Sequence, residues 1–214
     1  RQRQMCIRDR GKNLLYIARN GRYLGFLVIQ DPVRPGMKKT LNRMRRLGID
    51  EVVMLTGDSK DVAAEVARDM DIDSYHAEIL PEDKANYVMK MQKRGNVMMV
   101  GDGINDAPAL AFADIGVSLG GNKTDIAAES AAITIRSEDP SKLYDALYIG
   151  RETMRAINQN FTATIVVNSA AMLLGALGKI SPLWAAVIHN TATLAVVLNS
   201  VRILKPARPT RRPA

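Results

Sequence analysis

Residues 98–110 read Met-Met-Val-Gly-Asp-Gly-Ile-Asn-Asp-Ala-Pro-Ala-Leu, and this string limits the possible folds more than any other part of the chain. A short apolar run stops at Gly101-Asp102-Gly103. Two further polar groups follow, Asn105 and Asp106, and the next residues, Ala107 to Leu110, can start a helix. A strand that ends on a carboxylate in a glycine-flanked turn delivers a hard oxygen ligand to the carboxyl end of a sheet, where open α/β folds bind ligands. Few carboxylates and little else suit Mg²⁺, which keeps several waters and binds substrate phosphate. An isolated Gly-Asp-Gly is more often an ordinary turn. With Asn105, Asp106 and the helix start behind it, the string is far more specific.

Residues 11–150 alternate strand-like and helix-like runs. Tyr23–Ile29 reads as a strand, broken by Asp31-Pro32-Val33-Arg34-Pro35-Gly36. Met37, Leu41, Met44 and Leu47 mark one face of a helix closed by Gly48. Val52–Leu55 reads as a short buried strand ending in Thr56-Gly57-Asp58. Ser59 is placed to cap the following helix, whose apolar face is Val62, Ala63, Val66, Ala67 and Met70. A helix starts near Pro81, a strand covers Val97–Val100, and Ile115–Val117 and Ala132–Ile135 flank a helix over 123–130. Strands separated by helices of this length predict a mostly parallel sheet with helices on both faces. The polar turns at 56–58, 101–106 and 118–121 should then gather at one edge of that sheet.

After Pro140 the character changes. A long helical run leads into Phe161–Gly178, 18 residues without a charge, and Lys179-Ile180-Ser181-Pro182 separates it from Leu183–Val201, 19 residues without one when His189 is neutral. At ~1.5 Å per residue each spans roughly 27–29 Å, close to the ~30 Å hydrocarbon core of a bilayer. The bland alternative is a pair of buried helices in a soluble bundle. Charge favours the membrane. Arg151 and Arg155 precede the first segment, Arg202, Lys205, Arg208, Arg211 and Arg212 follow the second, and Lys179 alone marks the turn, so both ends should be cytoplasmic.

The net charge of +8 is therefore no sign of a nucleic-acid partner. Residues 1–10 hold +3 and residues 151–214 hold +7, which leaves −2 for the globular stretch between them. The single cysteine, Cys6, lies in residues 1–10, which match no element and are set aside as a non-native or disordered end. No disulfide framework is available to the rest.

Thr56-Gly57-Asp58 before a helix start can bind an anion, although alone it is usually a plain strand-to-helix turn. Lys84, in Leu80-Pro81-Glu82-Asp83-Lys84, is a surface lysine by base rate, and a phosphate ligand if its helix faces the same sheet edge. Asp71-Ile72-Asp73 follows no strong strand and reads as a loop.

The order Thr56, Lys84, Asp102, the full Gly-Asp-Gly-x-Asn-Asp-Ala-Pro-Ala-Leu string, the Asp-Pro-Val-Arg-Pro at 31–35 and the apolar hairpin behind them resemble the heavy-metal-transporting P-type ATPases. These are a branch of the haloacid dehalogenase superfamily, and the resemblance covers residues 11–205. It implies a C-terminal portion of such a pump, with a haloacid dehalogenase-like Rossmannoid parallel sheet followed by a two-helix transmembrane hairpin. Residues 11–30 would end the nucleotide domain, 31–140 form the phosphorylation domain, 141–160 a stalk helix, 161–178 and 183–204 the spans, and 205–214 a basic cytoplasmic tail. The superfamily's first motif, Asp-Lys-Thr-Gly-Thr in P-type pumps, is not in these 214 residues. The chain alone should then not turn over.

Roles follow from the resemblance. An upstream Asp would attack the γ-phosphate of ATP and carry an aspartyl-phosphate. Thr56 and Gly57 would hold a phosphoryl oxygen, Asp58 orient that loop, and Lys84 neutralise the transferring group. Asp102 and Asp106 would bind Mg²⁺, with Asn105 completing the shell. In the spans, Asn168, His189 and Thr193 are candidates for the transported ion, and His189 and Thr193 share a helix face. Asn, Ser and Thr also bond helix to helix as a matter of routine. His189-Asn190-x-x-Thr193 resembles the last span of cobalt/zinc-type relatives rather than of copper pumps, which points to Zn²⁺, Cd²⁺, Co²⁺ or Mn²⁺. The expected setting is the plasma (inner) membrane, with lipid and the rest of the pump as partners. Competing readings are a membrane-tethered phosphatase of the same superfamily and a non-catalytic membrane-interaction module.

Overall fold

The computed structural model describes residues 13–29, 32–101, 104–120 and 129–204. The chain forms two compact units, residues 1–144 and 145–214.

The first unit opens with an antiparallel hairpin, β1 (Asn13–Arg19) and β2 (Arg22–Ile29). Only the second of these strands is legible from apolar content. The turn between them is Asn20-Gly21, with φ of 50° and 74°. Positive φ at both central residues is the type I′ geometry that Asn-Gly favours in two-residue hairpins.

Helix α1 (Met37–Arg46) buries Thr40 and Met44 and ends before Gly48, whose φ is 86°. Strand β3 (Val53–Leu55) leads to α2 (Lys60–Met70), which buries Ala63 and Ala67. Ser59 stands at the N-cap position, but its side chain makes no capping hydrogen bond; only its carbonyl engages, accepting from the Ala63 N–H at 3.0 Å. Strand β4 (Ser74–His76) was not expected, because three residues are too few to show a period. It pairs parallel to β3. Helix α3 (Pro81–Gln92) starts on its proline, β5 (Met98–Gly101) follows, a 3₁₀ turn covers Ile104–Asp106, and α4 (Ala107–Phe112) leads to β6 (Ile115–Leu119) and β7 (Ile133–Ile135). The expected helix over 123–130 falls mostly outside the described residues.

All pairing after the hairpin is parallel, as the strand–helix alternation requires. It forms two ladders, β3–β4 and β5–β6–β7, and among the described residues β3 and β5 do not pair with each other. The core of the second ladder is Met44, Val117, Leu119 and Leu143, with Ile49, Met98, Val100 and Ile135 against it. The Arg43 guanidinium lies 3.6 Å from the Tyr144 ring centroid, a cation–π contact at the edge of that core.

The Asp71–Asp73 loop is a structural corner. Asp73 Oδ2 accepts from Arg45 Nη2 at 2.9 Å and from the Val52 N–H at 2.7 Å, and Arg45 also donates to the Asp71 carbonyl. The Arg45 bond first, and the Val52 N–H second, hold the Asp73 carboxyl below the usual carboxylate range.

Among the described glycines of this unit, Gly116 allows the closest approach. A Cβ there would stand 2.3 Å from the Leu110 carbonyl oxygen and 3.0 Å from its carbon. Both are backbone atoms and cannot swing aside. Gly116→Ala should therefore cost roughly 3 kcal/mol by forcing α4 off β6, read as a lower chemical-unfolding midpoint. An unchanged midpoint would mean the two elements are free to separate.

The second unit holds most of α5 (Ser141–Ala176) and α6 (Pro182–Val201), with a 3₁₀ turn over Arg202–Leu204. Among the described residues, one helix, Pro182–Val201, is long and apolar enough on its own to cross a membrane. It ends three residues short of the expected 204, where the backbone tightens into the 3₁₀ turn. Gly178, at φ 66°, closes the preceding helix by donating to the Gly175 carbonyl at 3.0 Å, while Lys179 N–H donates to Leu174 at 2.8 Å.

Candidate functional site

Thr56 sits one residue past β3. Its N–H donates to the His76 carbonyl at 3.0 Å, extending the β3–β4 ladder by one rung. Its hydroxyl donates to Asp58 Oδ2 at 2.8 Å and accepts from the Asp58 N–H at 3.1 Å. Asp58 thus closes the turn on Thr56 from both its side chain and its backbone. A Cβ on Gly57 would meet the Ile79 carbonyl at 3.5 Å, an ordinary contact, so space alone does not demand glycine there.

Lys84 lies in the first turn of α3 and points at the loop after β5. Its Nζ is 2.7 Å from Asp106 Oδ1, with the two side chains only 16% and 13% exposed. Lys84 is therefore a half-enclosed ion-pair partner rather than a solvated surface lysine. Losing one member of so enclosed a pair would strand the other charge.

Gly101 makes the geometry possible. A Cβ there would lie 2.8 Å from Asp106 Cβ and 2.9 Å from its Oδ2, so the Asp106 side chain occupies the space above the last strand residue. Asn105 is exposed on the same 3₁₀ turn. Asp102, the central metal candidate, lies outside the described residues, as does Gly103. Among the described residues no group of three metal-binding side chains assembles. The carboxylate of Asp106, cradled on a strand end and held by a cation, does fit the sparse donor set that Mg²⁺ takes beside a phosphate.

The two pairs, Thr56–Asp58 and Lys84–Asp106, are each well formed, and no hydrogen bond or ion pair among the described residues joins them. His76 was not a candidate. Its carbonyl holds Thr56, and its ring packs 4.6 Å from that of Tyr87, one turn along α3 from Lys84. No sequence signal marks it. Gly101 was visible within the motif, but its reason, the Asp106 side chain, was not.

In the second unit the candidates also meet. His189 Nδ1 is 3.0 Å from Asn168 Oδ1. In the tautomer that carries its proton on Nδ1, the imidazole donates to this amide oxygen. Thr193 shares the His189 face, but its hydroxyl donates to the His189 carbonyl at 3.0 Å, a local back-bond on the same helix.

Known proteins converge on both units. The family model of haloacid dehalogenase-like hydrolases matches residues 5–114. The chain is 42% identical over 200 residues to a zinc-exporting P-type ATPase of Mycobacterium marinum, covering 93% of this chain and 27% of that protein. It is 41% identical over 200 residues to a manganese-exporting P-type ATPase of Mycobacterium leprae, covering 93% and 28%. The crystal structure of a zinc-transporting PIB-type ATPase in its E2.Pi state superposes with a TM-score of 0.84 at 30% identity, over 95% of this chain and 33% of that one. The chain thus spans little more than a quarter of these curated relatives. With residues 5–114 under one family model, the chain belongs to the haloacid dehalogenase-like hydrolase family, and 93% of its length is similar to part of the metal-exporting P-type ATPases.

Proposed function

We propose that this chain is the C-terminal part of an ATP-driven exporter of a divalent transition metal, supplying the phosphoryl-holding half of the catalytic domain and the last two membrane helices. The observation that carries this is the enclosed Lys84–Asp106 pair on the Gly101 cradle, within a chain that aligns over 93% of its length with metal-exporting relatives.

Asp106 and Asp102 would hold Mg²⁺ beside the phosphate, and the ion would offset phosphoryl charge there. The Lys84 ammonium, paired with Asp106, binds the transferring group as a point cation. The Thr56 hydroxyl, whose proton lies on Asp58 Oδ2, turns from that carboxylate to donate to a phosphoryl oxygen, and Asn105, exposed on the 3₁₀ turn, supplies an amide donor. A carboxylate elsewhere in the intact protein attacks the γ-phosphorus of ATP, ADP leaves, and water later releases phosphate. Among the described residues β3 and β5 each pair on one side only, which leaves room for a further strand bearing that carboxylate.

In the membrane, α6 and the apolar part of α5 form a hairpin with both ends cytoplasmic, in the plasma (inner) membrane. His189 offers Nε2 to the exported ion, with Asn168 fixing the tautomer, the outer-shell arrangement that ligating imidazoles use. Zn²⁺ and Mn²⁺ are the ions carried by the similar exporters, and both accept imidazole.

The test compares this 214-residue chain with the whole protein expressed from its full coding sequence. The whole protein should form a metal-stimulated, Mg²⁺-dependent phosphoenzyme from ATP, and the chain alone should form none. Phosphoenzyme on the chain alone would instead support a self-contained phosphatase.

A further inference from the structure

We propose that Asn160 is a register clasp, a positioning residue that fixes the two apolar helices against each other and so sets the geometry of the Asn168–His189 pair. This rests on the ion-binding role given above to that pair.

Asn160 lies on α5 one residue before the uncharged stretch begins, and both ends of its amide are used. Its Oδ1 accepts from Asn199 Nδ2 at 2.8 Å, and its Nδ2 donates to Ser200 Oγ at 2.8 Å. The partners are tied in turn. Asn199 Oδ1 accepts from Arg202 Nη1 at 3.0 Å, and the Ser200 hydroxyl donates to the Val196 carbonyl at 3.1 Å. One side chain on α5 therefore grips two consecutive residues of α6.

That bidentate grip defines a register where a single bond would not. Sliding α6 by one residue moves it ~1.5 Å and turning it by one residue rotates it ~100°, and either change breaks both bonds. Helices in lipid gain little from the hydrophobic effect on pairing, so packing and polar contacts decide how they meet. Among the described residues, the hydrogen bonds between α5 and α6 are these two and Asn168–His189.

The hairpin is pinned at its other end by the Gly178–Lys179 turn. The Asn168–His189 pair lies between the two fixed points, roughly 12 Å from Asn160 along α5 and roughly 15 Å from Asn199 along α6. A lone 3.0 Å contact in mid-helix holds its partners only if the helices are already in register. Asn160 supplies that condition from the end nearer the cytoplasm.

The experiment uses the intact pump in nanodiscs, as Asn160→Ala, Ser200→Ala, His189→Ala and the Asn160→Ala/His189→Ala double variant. Metal-stimulated ATPase is read across Zn²⁺ and Mn²⁺ titrations. Asn160→Ala should raise the half-saturating metal concentration about threefold to tenfold, and Ser200→Ala by less. Phosphorylation from inorganic phosphate without transported metal should stay within about twofold. In the His189→Ala background, Asn160→Ala should add no further shift. An unmoved half-saturation in Asn160→Ala, whatever happens to expression or maximal rate, overturns the proposal.

A separate readout keeps the clasp distinguishable from the His189 assignment. Spin labels at the exposed Ile165→Cys and Leu194→Cys positions, with any native cysteines outside the metal site replaced, should give one narrow distance that broadens in Asn160→Ala. If His189→Ala leaves the metal dependence unmoved, the ligand role of His189 falls, and the label distances alone judge the clasp. Unchanged distances in Asn160→Ala sink it.

Discussion

Lys84→Met in the intact pump should slow phosphoenzyme formation from ATP by roughly 100-fold to 1,000-fold, the usual consequence of removing one preorganised charge contact to a transferring group. Met keeps the length of the stem and removes the ammonium. The geometry makes the loss double. Asp106, 13% exposed and 2.7 Å from the Lys84 Nζ, loses its counter-charge and is left as an enclosed, unpaired carboxylate. Asp106→Asn and Asp102→Asn test the other side of the site. Each removes a hard anionic ligand with almost no change of volume, and each should move the Mg²⁺ dependence of phosphorylation rather than the unfolding midpoint. A Lys84→Met rate within about twofold of the parent, in a folded protein, would reduce the Lys84–Asp106 pair to a structural bridge between α3 and the loop after β5.

His189→Ala should raise the metal concentration needed for half-maximal ATPase by at least about tenfold, since even outer-shell changes at metal sites cost that much. The effect should be larger for Zn²⁺ than for Mn²⁺, which imidazole binds more weakly. Asn168→Leu should follow in the same direction with a smaller shift, because it frees the imidazole to flip tautomer without removing Nε2. A stable His189→Ala protein with unchanged metal stimulation would leave the ion to ligands outside this chain.

The sequence by itself determined the class of fold. Apolar runs separated by helices of amphipathic period are buried as parallel strands with crossovers, and the apolar run before Gly101 marks one of those strands. Two uncharged stretches of bilayer length, joined by Lys179 to Pro182, likewise need no coordinates. The hairpin at Asn20-Gly21 was not expected, because apolar content gives only its second strand, although the φ preference of that turn is local. Strand β4 was not legible: three residues carry no period, and its identity comes from β3 beside it.

Tertiary structure decided who meets whom. Lys84 and Asp106 are 22 positions apart, and nothing in either neighbourhood says that α3 brings the ammonium onto that carboxylate rather than into water. The same holds for Asn160 and Asn199, 39 apart, whose amides look in sequence like any polar residues at the ends of apolar helices. Periodicity assigns a residue to a face, but a partner across space depends on how two elements cross, and that crossing is set by packing far from either residue.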